Sequence, residues 1–153
     1  MLTSSPQERI ILRPFQPQDQ QPARELVLEG LVEHWGFLDP TLNPDLNNIA
    51  LTYAKGLFLT AWQGKTLVGT GAFLPVDGET VQIVRMSVRK SHRRLGLGKR
   101  ILEALLQEAT RRGYRRAILE TTATWTEVIA FYLQCGFAIT HYADGDVYFE
   151  RWL

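Results

Sequence analysis

The sequence predicts an α/β (α+β) fold in which one seven-stranded sheet carries helices on its faces. Three observations predict it. The hydrophobic period switches between two residues and about 3.6 along the chain, giving the order β-α-α-β-β-β-α-β-α-β-β. Turn-forming residues fall where the period switches. The chain has 153 residues, 45% apolar and 22% charged. That suits a single domain over 1–153, able to bury a core without a disulfide or structural metal.

The elements follow in order. Residues 9–13, in "RIILRPF", alternate as a strand that Pro14 stops. An amphipathic helix is predicted over 19–34, with Leu26, Leu28, Leu31 and Val32 as its apolar face. "WGFLDPTLNP" is a loop rich in turn residues. A second, short helix is predicted over 44–55, with Gly56 as its C-cap. The period then changes. "LFLTAWQ", the turn "GK", "TLVGTGAFLPV", the turn "DG" and "TVQIVRMSV" make a three-stranded meander. A helix over about 96–112 is closed by Gly113, and "YRRAILETT" is the fifth strand. "TWTEVIAFYLQC" is a helix with Thr124 as N-cap and Glu127 placed to complete a capping box. "FAITHY", the turn "ADG" and "VYFERWL" form a final hairpin.

Net charge is +1, but it is unevenly placed. Between Arg85 and Arg116 stand eleven Lys/Arg against Glu103 and Glu108, a net of +9. The remaining residues carry six positive and fourteen negative charges, a net of −8. The middle of the chain is therefore suited to meet an anion.

The charge converges on "RRLGLGK", Arg93 to Lys99, between a strand and a helix. Gly96 and Gly98 have no Cβ, so a ligand can come close to their backbone. The first N–H groups of the following helix lack internal partners, and its dipole turns its positive end to the loop. Such a loop suits a phosphate or pyrophosphate. Arg93, Arg94, Lys99 and Arg100 add charge around it. A Walker A loop is excluded, because one residue separates the glycines and Arg100 follows Lys99. The dinucleotide fingerprint is excluded because Ile101 stands where a third glycine is needed. A plain packing turn is the competing reading of an isolated glycine pair.

A second cluster, "FYLQCGF" from Phe131 to Phe137, sets Tyr132 mid-helix and Gly136 at the helix end. Taken alone, Tyr132 reads as a core residue and Cys135 as a small buried apolar one. Together, "V-x-x-x-x-R-x-x-G-x-G" and "F-Y-x-x-x-G-F" resemble the GCN5-related N-acetyltransferase (GNAT) superfamily. The resemblance spans nearly the whole chain. It implies a mixed, mostly antiparallel seven-stranded sheet flanked by helices on both faces. It implies acetyl-CoA as co-substrate, with its pyrophosphate on the loop formed by Arg93, Arg94, Leu95, Gly96, Leu97, Gly98, Lys99 and Arg100. It also implies that the pantetheine arm pairs with the fourth strand at Met86, Ser87 and Val88, where that strand bulges and splays from the fifth.

Direct acetyl transfer needs a base for the amine, donors for the oxyanion and an acid for the leaving thiolate. By the resemblance, Tyr132 stands at the acid position and the Val88 N–H at the oxyanion. Two positions bear on the base. Gln82 stands where one branch of the family has a Glu, and it cannot accept a proton. Glu120 stands twelve residues before Tyr132, where another branch has its Glu. A water relay is the alternative. Trp125 and Val128 replace a common Asn and Ala, and Trp125 is a candidate to cover the pantetheine or wall the acceptor pocket.

The acceptor, a small-molecule or peptide amine, is expected around Glu33, His34, Trp35, Phe37 and Asp39 and the hairpin from His141 to Asp146. His34, His92 and His141 show no metal-ligand spacing, so no metal is expected. Two rival classes stand beside the enzyme. "RKSHRR" and "RRGYRR" suggest a nucleic-acid-binding module, but they flank the glycine loop and close a helix, so cofactor binding accounts for them more locally. A CoA-binding sensor without catalysis is the second, and Tyr132 argues against it. No nucleic acid and no membrane are therefore expected as partners, and a monomer or homodimer fits. No apolar run approaches the length of a membrane span, and "MLTSSPQERI" lacks a signal-peptide pattern. With the single cysteine, Cys135, this predicts a cytoplasmic protein.

Overall fold

The computed structural model describes residues 9–36 and 42–153. Its elements are β1 (Ile10–Pro14), α1 (Gln20–Trp35), α2 (Ile49–Thr52), β2 (Leu57–Gln63), β3 (Thr66–Pro75), β4 (Thr80–Val88), α3 (Leu97–Arg111), β5 (Arg116–Thr122), α4 (Thr126–Gln134), β6 (Ala138–Ala143) and β7 (Asp146–Trp152). Phe37 and Asp39 lie outside the described residues.

The seven strands form one sheet in the order β1-β2-β3-β4-β5-β7-β6. Every neighbouring pair is antiparallel except β4 and β5. Those two are parallel for only three rungs, Thr80–Arg116, Val81–Ala117 and Gln82–Ile118. Beyond Gln82 they separate, and the sheet opens at its centre. In β4 the pairing with β3 passes from Ala72–Val84 to Thr70–Ser87, so Arg85 and Met86 both stand opposite Gly71. This is a β-bulge. Arg85 takes a left-handed φ of 55° there.

Each sheet face has its own helix layer and core. On one face Leu97, Ile101, Leu102, Leu105 and Leu106 of α3 pack with Tyr132 and Cys135 over Phe73, Val81, Leu119 and Phe149. On the other, Ala23, Leu26 and Val27 of α1 pack with Leu46, Ile49 and Tyr53 over Phe58 and Ala72. Burying each of the larger of these side chains contributes about 1.5–3 kcal/mol.

Local details depart from the sequence expectations at four places. In α1 the buried residues are Ala23, Leu26 and Val27, while Val32 is exposed. Leu28 and Leu31 are half-buried against the same core. The second helix is a 3-10 turn at Pro44–Asn47 and a single α turn at Ile49–Thr52. Asn48, at φ −150°, breaks the run and caps α2 by accepting the Leu51 N–H. Gly56 is no left-handed cap. A Cβ there would lie 2.0 Å from the Phe73 carbonyl oxygen, so the glycine serves close approach of two strands. Finally, α4 begins at Thr126 with Trp125 as N-cap and no side-chain cap, so the Thr124–Glu127 capping box does not form.

Candidate active site

The opened sheet leaves a cleft with two connected parts. A cavity of about 420 Å³ lies between α1, the ends of β4 and β5, and the start of α4. A groove of about 580 Å³ continues between the glycine loop and α4. Met86, Ser87, Val88, Arg93 and Tyr132 line both.

The groove is built by the glycine loop. Gly96 has φ 81°, a conformation that costs an ordinary residue roughly 1 kcal/mol. Arg94, before it, is also left-handed at φ 64°. These turns lead into α3, whose first residues, Leu97, Gly98 and Lys99, line the groove, and the first N–H groups of a helix have no partner within it. Gly98 needs no unusual backbone, and its role is space. A Cβ there would lie 3.4 Å from the Phe131 ring and 3.7 Å from Val88, filling the floor of the groove. Open N–H groups, a floor free of side chains and nearby cations fit a phosphate-bearing ligand.

The loop residues divide into three groups. Arg94, Gly96, Leu97, Gly98 and Lys99 line the groove. Leu97 contributes backbone, since its side chain is buried in the core. Leu95 is exposed, and Arg100 turns to β1, donating to the Ile10 carbonyl at 3.2 Å. Arg93 is held at both ends of its guanidinium. It donates to both Glu33 oxygens at 2.6 and 2.8 Å and to the Val88 carbonyl at 3.0 Å. The Arg93 guanidinium holds the Glu33 carboxyl below its usual range, by hydrogen bond and charge. Glu33 is thus committed to the loop rather than open to an amine.

Glu120 and Tyr132 both line the cavity. Tyr132 is seated by edge contacts with Phe131 and Phe137 and by a tilted contact with Phe149. Burial pushes its phenol above the ordinary range. Glu120 stands on β5 opposite Tyr148 of β7. The Glu120 carboxylate, by hydrogen bonding and charge, raises the Tyr148 phenol. Tyr148 in turn stacks on His141 at 4.3 Å. A second open space of about 550 Å³ on this sheet face, lined by Gln82, Glu120, His141 and Tyr148, meets the cavity at Glu120. Gln82 forms the last β4–β5 rung, at the point where the strands part.

Trp125 walls the cavity at the start of α4. It stacks on His34 at 4.2 Å and touches Trp35 at 5.4 Å. The last turn of α1 thereby reaches both sides of the cleft, Arg93 through Glu33 and Trp125 through His34. Cys135 is buried, and burial raises its thiol.

Sequence reasoning missed Tyr148, Arg85 and Asp45. Tyr148 joins Glu120 only through the β5–β7 register, which links distant segments. Arg85 lines the cavity and binds Asp45 bidentately, at 2.9 and 2.6 Å. The charge of Arg85 was visible, but nothing local signalled its left-handed backbone.

Residues 19–137 match the Acetyltransferase (GNAT) family. N-acetyltransferase 8F1 of Rattus norvegicus is 34% identical over 111 residues, 68% of this chain and 50% of that protein. N-acetyltransferase 8 of Homo sapiens is 31% identical over 124 residues, 76% of this chain and 53% of that protein. The chain spans about half the length of the curated relatives it matches. A GNAT-family acetyltransferase of Staphylococcus aureus superposes with a TM-score of 0.87 at 22% identity, covering 94% of this chain and 99% of that one. The PaiA N-acetyltransferase of Thermoplasma acidophilum, solved in complex with coenzyme A, superposes with a TM-score of 0.83 at 16% identity over 94% of this chain and 99% of that one. These two likenesses establish the fold.

Proposed function

Because the chain belongs to the acetyltransferase (GNAT) family, we propose that it moves an acetyl group from acetyl-CoA to a primary amine of a small molecule or peptide by direct transfer. The observation that carries this reading is the single cleft. It joins a glycine-loop groove to a cavity lined by both Glu120 and Tyr132. The relative solved with coenzyme A supports the same co-substrate here.

In this reading the N–H groups at the start of α3, with Arg94 and Lys99, hold the phosphates. The open main chain of Met86, Ser87 and Val88, beyond the last β4–β5 rung, receives the pantetheine arm. Acetyl-CoA supplies the acetyl group as a thioester. Glu120 takes the proton from the incoming amine, and Tyr132 gives its phenolic proton to the departing sulfur. The Val88 N–H is the donor assigned to the carbonyl oxygen. An acetyl-cysteine route would need an accessible thiolate, and the raised, buried thiol of Cys135 argues for direct transfer. The lone cysteine also favours a cytoplasmic setting.

The test is an acetyl-CoA turnover screen over amino acids, polyamines, aminoglycosides and peptides with free N-termini, preceded by calorimetry with acetyl-CoA. Binding and turnover with at least one amine class are expected. Glu120→Gln should then lower kcat/KM by roughly 10²-fold, with a smaller loss at high pH where more amine is already free. Full activity in Glu120→Gln across pH would transfer the base role to water. Absence of acetyl-CoA binding in the wild type would end the reading.

A further inference from the structure

Past Gln82, strand β4 pairs with no further residue of β5. Its remaining residues, Ile83 to Val88, nonetheless line the cleft on which the proposed reaction depends, the last three in both of its parts. A half-unpaired strand end must be held in shape from elsewhere. The holding groups converge on the bulge residue. The Thr70 hydroxyl donates to the Arg85 carbonyl at 2.8 Å, which fixes the backbone from β3. The Arg85 guanidinium binds Asp45 through two donors at 2.9 and 2.6 Å and donates to the Asn43 side-chain oxygen at 3.1 Å. Tyr53, itself buried, donates its hydroxyl to Asp45 at 2.8 Å, so the carboxylate is oriented from a third side.

The choice of residue sharpens the point. At φ 55° a glycine would sit without strain. The chain has arginine there, so a long cationic side chain is used where backbone alone would favour none. A planar guanidinium on a carboxylate fixes orientation as well as distance. Arg85 and Asp45 are both largely withdrawn from solvent, with side-chain exposures of 19% and 23%. Their pairing is thus less screened than one at the open surface.

We propose that Arg85 is a positioning residue for acetyl transfer: its tie to Asp45, braced by Tyr53, holds the β4 bulge so that the main chain of Met86–Val88 meets the thioester. The inference rests on the acetyl-CoA reading above. It separates two ends of the cofactor. The phosphates are held at the glycine loop, which the tie does not touch, and the acetyl group lies at the strand the tie controls.

The experiment uses the full chain with CoA and with acetyl-CoA labelled with carbon-13 at the acetyl carbonyl. In the wild type, the bound carbonyl resonance is expected to move away from its free position, as for a carbonyl that accepts a hydrogen bond. At saturation, Arg85→Gln and Asp45→Asn should lose most of that displacement while calorimetric CoA affinity weakens by less than about 10-fold, because the glycine-loop contacts are retained. Arg85→Lys, which keeps one charged donor, should recover part of it. Tyr53→Phe keeps the ring against Phe58 and removes only the hydroxyl, so it provides a milder test should the charge variants fail to fold; it should lose part of the displacement. Full displacement in these variants would make the tie merely structural and overturn the proposal. So would loss of CoA affinity in step with the displacement, or a wild-type carbonyl that does not move on binding. A wild type that binds no acetyl-CoA at all removes the underlying reading, and the inference with it.

Discussion

Burial holds the Tyr132 phenol above its ordinary range, so the group keeps its proton across neutral and alkaline pH, where amines become free. A donor that never titrates in the working range leaves no alkaline limb of its own on the rate profile. Tyr132→Phe should preserve the ring contacts and acetyl-CoA affinity while kcat falls by roughly 10²-fold, the usual scale for acid catalysis. Steady-state kinetics and calorimetry on one preparation check this. An unchanged kcat with only a lower melting temperature would return Tyr132 to the core. At this scale the sequence was informative where a residue sits in a local pattern. Tyr132 was legible from "FYLQCGF" and Glu120 from its offset to it. Tyr148 and Asp45 were not, because each gains its role from a neighbour distant in sequence, Glu120 across the β5–β7 register and Arg85 forty residues away.

The strands of the meander were legible because alternation and two-residue turns mark them from within. β2 and β4 fall at the predicted residues. The second helix was not, since the Asn48 break depends on a side chain capping the next turn rather than on any proline or glycine. The insertion of β7 between β5 and β6 also has no local signature. Two glycines test how elements meet. Gly98→Val should fold normally, since a Cβ meets its neighbours there at 3.4 Å or more, yet abolish acetyl-CoA heat by filling the groove. Unchanged affinity in that variant would move the cofactor elsewhere. Gly56→Ala should do the reverse. Its Cβ would drive into the Phe73 carbonyl at 2.0 Å. It should cost about 3 kcal/mol, or roughly 6–12 °C of melting temperature for a chain of this size, with acetyl-CoA affinity of the folded fraction retained. A melting temperature within a degree of wild type would mean that β2 and β3 can part locally.

Across the whole molecule, the positive charge of the eleven Lys/Arg between Arg85 and Arg116 is partly consumed inside the fold. Arg85 pairs with Asp45, Arg93 with Glu33, Arg111 and Arg112 with Glu108, and Arg116 with Glu150. Arg94 and Lys99 form no ion pair among the described residues, and both line the groove. The sequence therefore showed where positive charge accumulates but not which part of it is left for a ligand. That division depends on carboxylates brought in from α1, the segment before α2 and β7, and on Glu108 within α3 itself. It makes a quantitative distinction between the two ends of the cofactor. Phosphate recognition at the groove should be screened by salt, because the screening length falls from about 10 Å at 0.1 M to about 3 Å at 1 M. Recognition of the acetyl-pantetheine arm by main chain should not. Acetyl-CoA affinity should weaken by roughly 10-fold or more over that range, as expected when partly exposed charges carry the contact. S-acetylpantetheine, which lacks the phosphates, should bind more weakly throughout and with little dependence on salt. Lys99→Gln should flatten the acetyl-CoA slope without altering the S-acetylpantetheine line. Equal slopes for the two ligands in the wild type would mean that the groove cations do not hold the phosphates, and that the surplus charge of the central segment serves another partner.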